Sequence, residues 1–156
     1  MKPATGGGGS SSRRIHAEAL VPTRACWGHD HRMTLVRVPR ERGKATRLET
    51  RVGDGTANPY LAATAVLAAG LDGIRRELEP PPPVAGFIYE LPEEALGAAL
   101  PTSFGEAMAA LDGDAVLREA LGEQLVDTFR AIKAAEQERF RTWVTDWEFR
   151  EYSGRL

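Results

Sequence analysis

The chain has 156 residues, 42% of them hydrophobic and 27% charged, and a formal net charge of −2 at pH 7. That is ordinary material for one soluble core, too short for two comfortable domains. It holds no apolar run of about 18 residues, its first residues form no apolar signal segment, and its single cysteine, Cys26, excludes an internal disulfide, so no membrane partner is expected and a reducing cytoplasm is the expected location.

The charge is unevenly spread: residues 13–51 hold ten Lys or Arg against four acids. An anion partner is therefore sought there. Nucleic acid is not expected, because this basic segment has few aromatic residues for base stacking and no recognisable nucleic-acid motif.

In chain order, "GGGGSSS" makes residues 1–12 a flexible lead that cannot supply a core, which leaves residues 13–156 as the structured part. "RMTLVRVP" and "ATRLETRV", separated by the polar turn "RERGK", read as an antiparallel hairpin. After "VGDGTANPYL", Asn58 is placed to cap a helix with Pro59 at its first position. Leu61, Val66, Leu67, Leu71, Ile74 and Leu78 recur at helical spacing as an expected core face, and "EPPPPV" is expected to stop the helix. Ser103 with Glu106 reads as a capping box, Asp114 as the cap of a short helix ending near Gly122, and Thr145 with Glu148 as a second box. Between them "EQLVDTFRAIKAAEQERFRTWV" is amphipathic, with Leu125, Phe129, Ile132, Phe140 and Trp143 near one stripe. Two strands alone do not make a domain, so more sheet is expected than this chain obviously contains.

Strand alternation puts Arg47, Glu49 and Arg51 on one face, which Arg37 of the preceding strand can join. Arg32 falls out of phase and belongs in the turn before the strand or across a bulge. Guanidinium forks bind phosphate or carboxylate oxygens bidentately, and a carboxylate among them can hold a magnesium ion that bridges phosphates, which suits phosphoryl transfer. The simpler alternative is a solvated cross-strand ion-pair ladder.

"RLETRVGDGTANPYLAATAVLAAGLDGI", preceded by "WGHDHRMTLVRVP", closely resembles the C-terminal part of the catalytic domain of glutamine synthetases. The resemblance runs from about Arg13 to the C-terminus and is densest between Trp27 and Ile74. The fold it implies is α+β, an antiparallel hairpin from a larger curved catalytic sheet followed by a mostly helical C-terminal half. It implies glutamate contacts for Arg14 and Arg51, and contact with glutamate or the transferred phosphoryl group for Arg32. It implies ATP contacts for Arg37, Lys44 and Arg47, and a place for Glu49 as one ligand of a Mg2+ or Mn2+ ion. The implied chemistry is ATP-dependent amide formation from glutamate and ammonia or another amine, by way of an acyl phosphate.

Where classical members have a flap resembling "RLxPGxEAP", this chain has "RIHAEALVP", with Leu20 in the place of the flap glutamate and Glu18 two residues early. Relatives that join glutamate to polyamines or other amines resemble it in lacking that acid and in the "DWE" ending, so a bulkier amine is a candidate acceptor. Tyr89 in "FIYELPEE" falls where some bacterial relatives carry an adenylylated tyrosine, a candidate modification beside the simpler reading of a packed loop tyrosine. His16, His29 and His31 are not expected to bind metal, since the family's metal-binding histidine lies upstream of this segment. The resemblance shows no counterpart here of the family's small N-terminal domain or of its upstream glutamate pairs. The expectation is thus a part of a ring-forming homo-oligomeric ligase, inactive alone, with a non-catalytic assembly module as the alternative.

Overall fold

The computed structural model describes residues 21–155. The Gly/Ser-rich lead, Arg14, His16 and the flap positions Glu18 and Leu20 lie outside them, as does the expected boundary between residues 12 and 13. Three short strands form one sheet in the order β1 (Trp27–His29), β2 (Val36–Val38), β3 (Glu49–Thr50). Five helices follow, α1 (Pro59–Arg75), α2 (Phe104–Gly113), α3 (Ala115–Leu121), α4 (Glu123–Arg141) and α5 (Asp146–Tyr152). The architecture is α+β, sheet first and helices after.

The expected hairpin is present as antiparallel β2 and β3, with Val36 opposite Thr50 and Arg37 opposite Glu49. Its connection is longer than a tight turn and holds a 3-10 turn over Gly43–Ala45. The strand not foreseen is β1, which pairs parallel with β2 and puts Gly28 opposite Arg37. Parallel neighbours ordinarily need a crossover of a dozen or more residues, whereas this chain returns through the turn between His29 and Val36. The reversal is made possible by Asp30, whose φ of 51° lies in the left-handed region that Asp tolerates better than most side chains. Its N–H donates to the Val38 carbonyl at 2.8 Å, and the Thr34 hydroxyl, fully buried, lies 2.9 Å from both the His31 and Val36 carbonyl oxygens.

The outer edge of β1 is covered by two later segments. The Val84 N–H donates to the Trp27 carbonyl at 2.8 Å, the Trp27 indole N–H donates to the Pro81 carbonyl at 2.7 Å, and Ala25 and Thr23 exchange backbone bonds with Ala98 and Leu100. The proline-rich run therefore straps the sheet edge, a use well suited to residues that lack an N–H. It does not stop α1, which ends earlier on a Schellman motif: Leu78 N–H donates to Gly73 and Glu77 N–H to Ile74, with Glu77 at φ 51°. Cys26, Val84, Ile88 and Leu96 form the buried cluster beneath this strap, flanked by Met33, Tyr89 and Leu91.

The caps follow the sequence closely. Asn58 accepts from the N–H groups of Tyr60 and Leu61, and Asp114 from that of Leu117. Thr145 and Glu148 make a full capping box. At α2 the box is shifted by one residue, because Ser103 accepts from Glu106 N–H while the Glu106 carboxylate reaches Thr102 instead. The expected core face of α1 is corrected. No residue of α1 is buried, its large apolar residues Val66, Leu67, Leu71 and Ile74 are exposed, and so is Leu78 beyond its end. On α4 the buried residue is Val126, whereas Leu125, Ile132, Phe140 and, beyond the helix, Trp143 are exposed. A periodic stripe gives an apolar face, but burial needs an opposing surface, and three strands of two or three residues offer too little of one.

Candidate functional site

The charged face forms where β3 lies beside β2. Arg37 and Glu49 are directly paired across the strands, so their side chains leave the same face, and Arg37 Nη1 stands 3.0 Å from Glu49 Oε2. Arg47 closes on the other carboxylate oxygen, with Nη2 2.9 Å and Nε 3.0 Å from Glu49 Oε1. Arg47 Nη1 also donates to the Ala45 carbonyl at 3.1 Å and lies 3.6 Å from Glu41 Oε2. Arg37, Arg47 and Glu49 are thus brought together as the alternation required, and with one another they make the ion-pair ladder.

The residue missed by sequence reasoning is Asp30. Its Oδ1 accepts from both Nε (3.1 Å) and Nη2 of Arg37, and its Oδ2 lies 3.0 Å from Arg40 Nε. The alternation argument considers only strand residues, and Asp30 stands in the turn after β1, a strand too short to read. The hydrogen bond from Arg37, aided by the charges of Arg37, Arg40 and Arg32, holds the Asp30 carboxyl below the usual carboxylate range, and the bond to Asp30 raises Arg37 above its own. Burial pushes the Glu49 carboxyl up, but the hydrogen bonds from Arg47 and Arg37 outweigh it and leave Glu49 below its ordinary value.

The other expected site residues are placed as follows. Arg32 is exposed in the turn between β1 and β2. Beside it, the His31 Nε2–H donates to the Gly86 carbonyl at 2.7 Å and Nδ1 accepts from Met33 N–H at 3.3 Å, which pins the turn to the strap. His29 packs edge-on against Trp27. Lys44 is exposed in the 3-10 turn of the hairpin connection. Arg51 follows β3, its backbone N–H donates to Leu35, and its Nη1 is buried with no hydrogen-bond partner among the described residues. Tyr89 is half-buried against the core cluster, edge-on to Phe87, with its hydroxyl donating to the Val21 carbonyl at 3.4 Å; burial raises its phenol above the ordinary value. Among the described residues no group of three or more His, Cys, Asp or Glu is set to hold a metal ion, and no helix is long and apolar enough to cross a membrane.

The fold recurs in known proteins. The family pattern described as "Glutamine synthetase, catalytic domain" matches residues 7–152. Glutamine synthetases of Methanococcus voltae and Thermotoga maritima are each 42% identical over 92% of this chain, which covers 33% and 34% of those proteins. Two solved structures, described as apo GmaS without ligand and a GmaS/ADP complex, superpose with TM-scores of 0.71 and 0.72 at 34% identity. They cover 86% and 88% of this chain, which in turn covers 31% of each of theirs. The chain spans about a third of the length of these curated relatives. With that match running through nearly all of its length, this chain belongs to the glutamine synthetase catalytic-domain family.

Proposed function

We propose that this chain forms one wall of the active site of an ATP-dependent ligase joining glutamate to ammonia or another amine. The observation that carries the reading is the charged face on which Glu49 is held between Arg37 and Arg47. Guanidinium forks of this kind bind phosphate and carboxylate oxygens bidentately.

In this reading Arg37, Lys44 and Arg47 hold the phosphates of ATP, and Arg51 orients glutamate with Arg14. Arg32, exposed in its turn, stabilises charge on the phosphoryl group in transfer. The glutamate side-chain oxygen attacks the terminal phosphorus, the bond to ADP breaks, and an acyl phosphate results. The amine then attacks the acyl carbon and phosphate leaves. Glu49, half-buried and ionised, fits as one ligand of Mg2+ or Mn2+, which would neutralise phosphate charge. One carboxylate is not a complete metal site, so the remaining ligands come from outside the described residues, in keeping with a homo-oligomeric whole enzyme.

Two measurements test the reading. The purified chain alone is expected to release no ADP from ATP in response to glutamate. Combined with the remainder of a family catalytic domain it is expected to do so, with a panel of amines identifying the acceptor. In that assembly Arg51→Gln should raise KM for glutamate by about 10- to 100-fold, the worth of a lost charged hydrogen bond. An unchanged KM overturns the assignment. The assembly-module reading is favoured by the exposed apolar side of α1. It predicts association with an intact family member and no binding of Mg-ATP by this chain.

A further inference from the structure

The turn between β1 and β2 is tied down on both sides of Arg32, while Arg32 itself is exposed. Before it, the Asp30 N–H donates to the Val38 carbonyl at 2.8 Å. After it, Met33 packs against the buried cluster, and the Thr34 hydroxyl lies 2.9 Å from the His31 carbonyl oxygen. The longest reach is that of the His31 ring, which joins the turn to a carbonyl 55 residues further along the chain. The Met33 N–H can only donate, so Nδ1, 3.3 Å away, is the acceptor and the ring proton sits on Nε2, 2.7 Å from the Gly86 carbonyl, which can only accept. Gly86 presents that carbonyl at φ 86°, a conformation that favours glycine.

We propose that His31 is a positioning residue: its ring clasps the turn to the strap and so fixes the point from which Arg32 meets the phosphoryl group in transfer. The proposal rests on the reading of Arg32 as the group that stabilises that phosphoryl charge. A guanidinium on a long, exposed side chain stabilises a transition state only as well as its backbone is placed, and a displacement of about 1 Å can cost about 100-fold in rate. The two hydrogen bonds of the ring hold the residue before Arg32 and the N–H of the residue after it, so their loss frees the peptide units that carry Arg32. Arg37 does not depend on the ring, because strand pairing fixes its backbone and Asp30 and Glu49 hold its side chain. Loss of the clasp therefore acts on turnover and spares the binding of ATP.

Three substitutions separate the two ends of the clasp. In His31→Gln the amide N–H falls about where Nε2–H stands and can keep the bond to Gly86; in His31→Asn the amide oxygen falls about where Nδ1 stands and can keep the bond from Met33; His31→Ala keeps neither. In the purified chain, amide hydrogen exchange at Met33 is expected to quicken about tenfold or more in His31→Ala, and an unchanged rate overturns the clasp. In the assembly with the remainder of a family catalytic domain, His31→Ala and His31→Asn should lower kcat about 10- to 100-fold while KM for ATP changes less than about twofold. His31→Gln should recover most of that loss, because the bond to Gly86 is the one that reaches beyond the turn. A loss with Gln as large as with Ala, a kcat that Asn preserves, or a KM for ATP that rises in step with the fall in kcat overturns the positioning role. So does an unchanged kcat in His31→Ala while Arg32→Gln lowers it, which leaves Arg32 in its role. An unchanged kcat in Arg32→Gln overturns the reading of Arg32 and this inference with it.

Discussion

A Cβ at Gly28 would stand 2.6 Å from the Val84 carbonyl oxygen and 2.9 Å from the His31 Cβ. Neither neighbour is a flexible side-chain end, so Gly28→Ala must push the strap away or distort the turn that carries Arg32. A cost of about 1–3 kcal/mol is expected, read as a lower urea midpoint with an unchanged slope. At this scale the site was partly legible. Arg37, Arg47 and Glu49 could be put on one face because alternation is a local rule. Asp30 could not, because its partnership with Arg37 depends on a backbone reversal that no periodicity announces. The buried nitrogen of Arg51 was equally hidden, since what surrounds a side chain is a tertiary fact.

The ends of the helices are where local chemistry can be tested. Glu77 occupies the left-handed position of the Schellman motif after α1, a place that glycine ordinarily fills. Glu77→Gly is expected to stabilise the fold by about 0.5–1 kcal/mol, seen as a raised melting temperature. At α2 the hydrogen bonds from the backbone and hydroxyl of Thr102 hold the Glu106 carboxyl below its ordinary range. A carboxyl lowered in the folded state contributes stability that is present above its unfolded value, about pH 4, and is lost as the pH falls through the lower folded value. Glu106→Gln should therefore flatten the acid limb of the urea midpoint against pH, and an unchanged limb would count against this cap. Caps at Asn58, Asp114 and Thr145 were readable because each needs only a few neighbouring residues. β1 was not, because three residues including a glycine carry almost no strand signal.

At the scale of the whole molecule, little apolar surface is closed off. Ile88 and Val126 are each 1% exposed, whereas Leu67 is 65% and Ile74 is 74% exposed. Ile88→Ala removes a central member of the buried cluster beneath the strap and is expected to cost about 2–5 kcal/mol, enough to lose the cooperative urea transition of a marginally stable domain. Periodicity told which helix faces are apolar. It could not tell which would find a partner within these residues. The strap over β1 also imposes an order on assembly. The Trp27 indole waits for a carbonyl 54 residues further along the chain. At synthesis rates of about 5–20 residues per second, that is roughly 3–11 s during which the nascent sheet exposes an open edge. The hairpin that carries Arg37 and Glu49 emerges early, but until the proline run leaves the ribosome its neighbour β1 is an unguarded strand, open to pairing with other nascent chains.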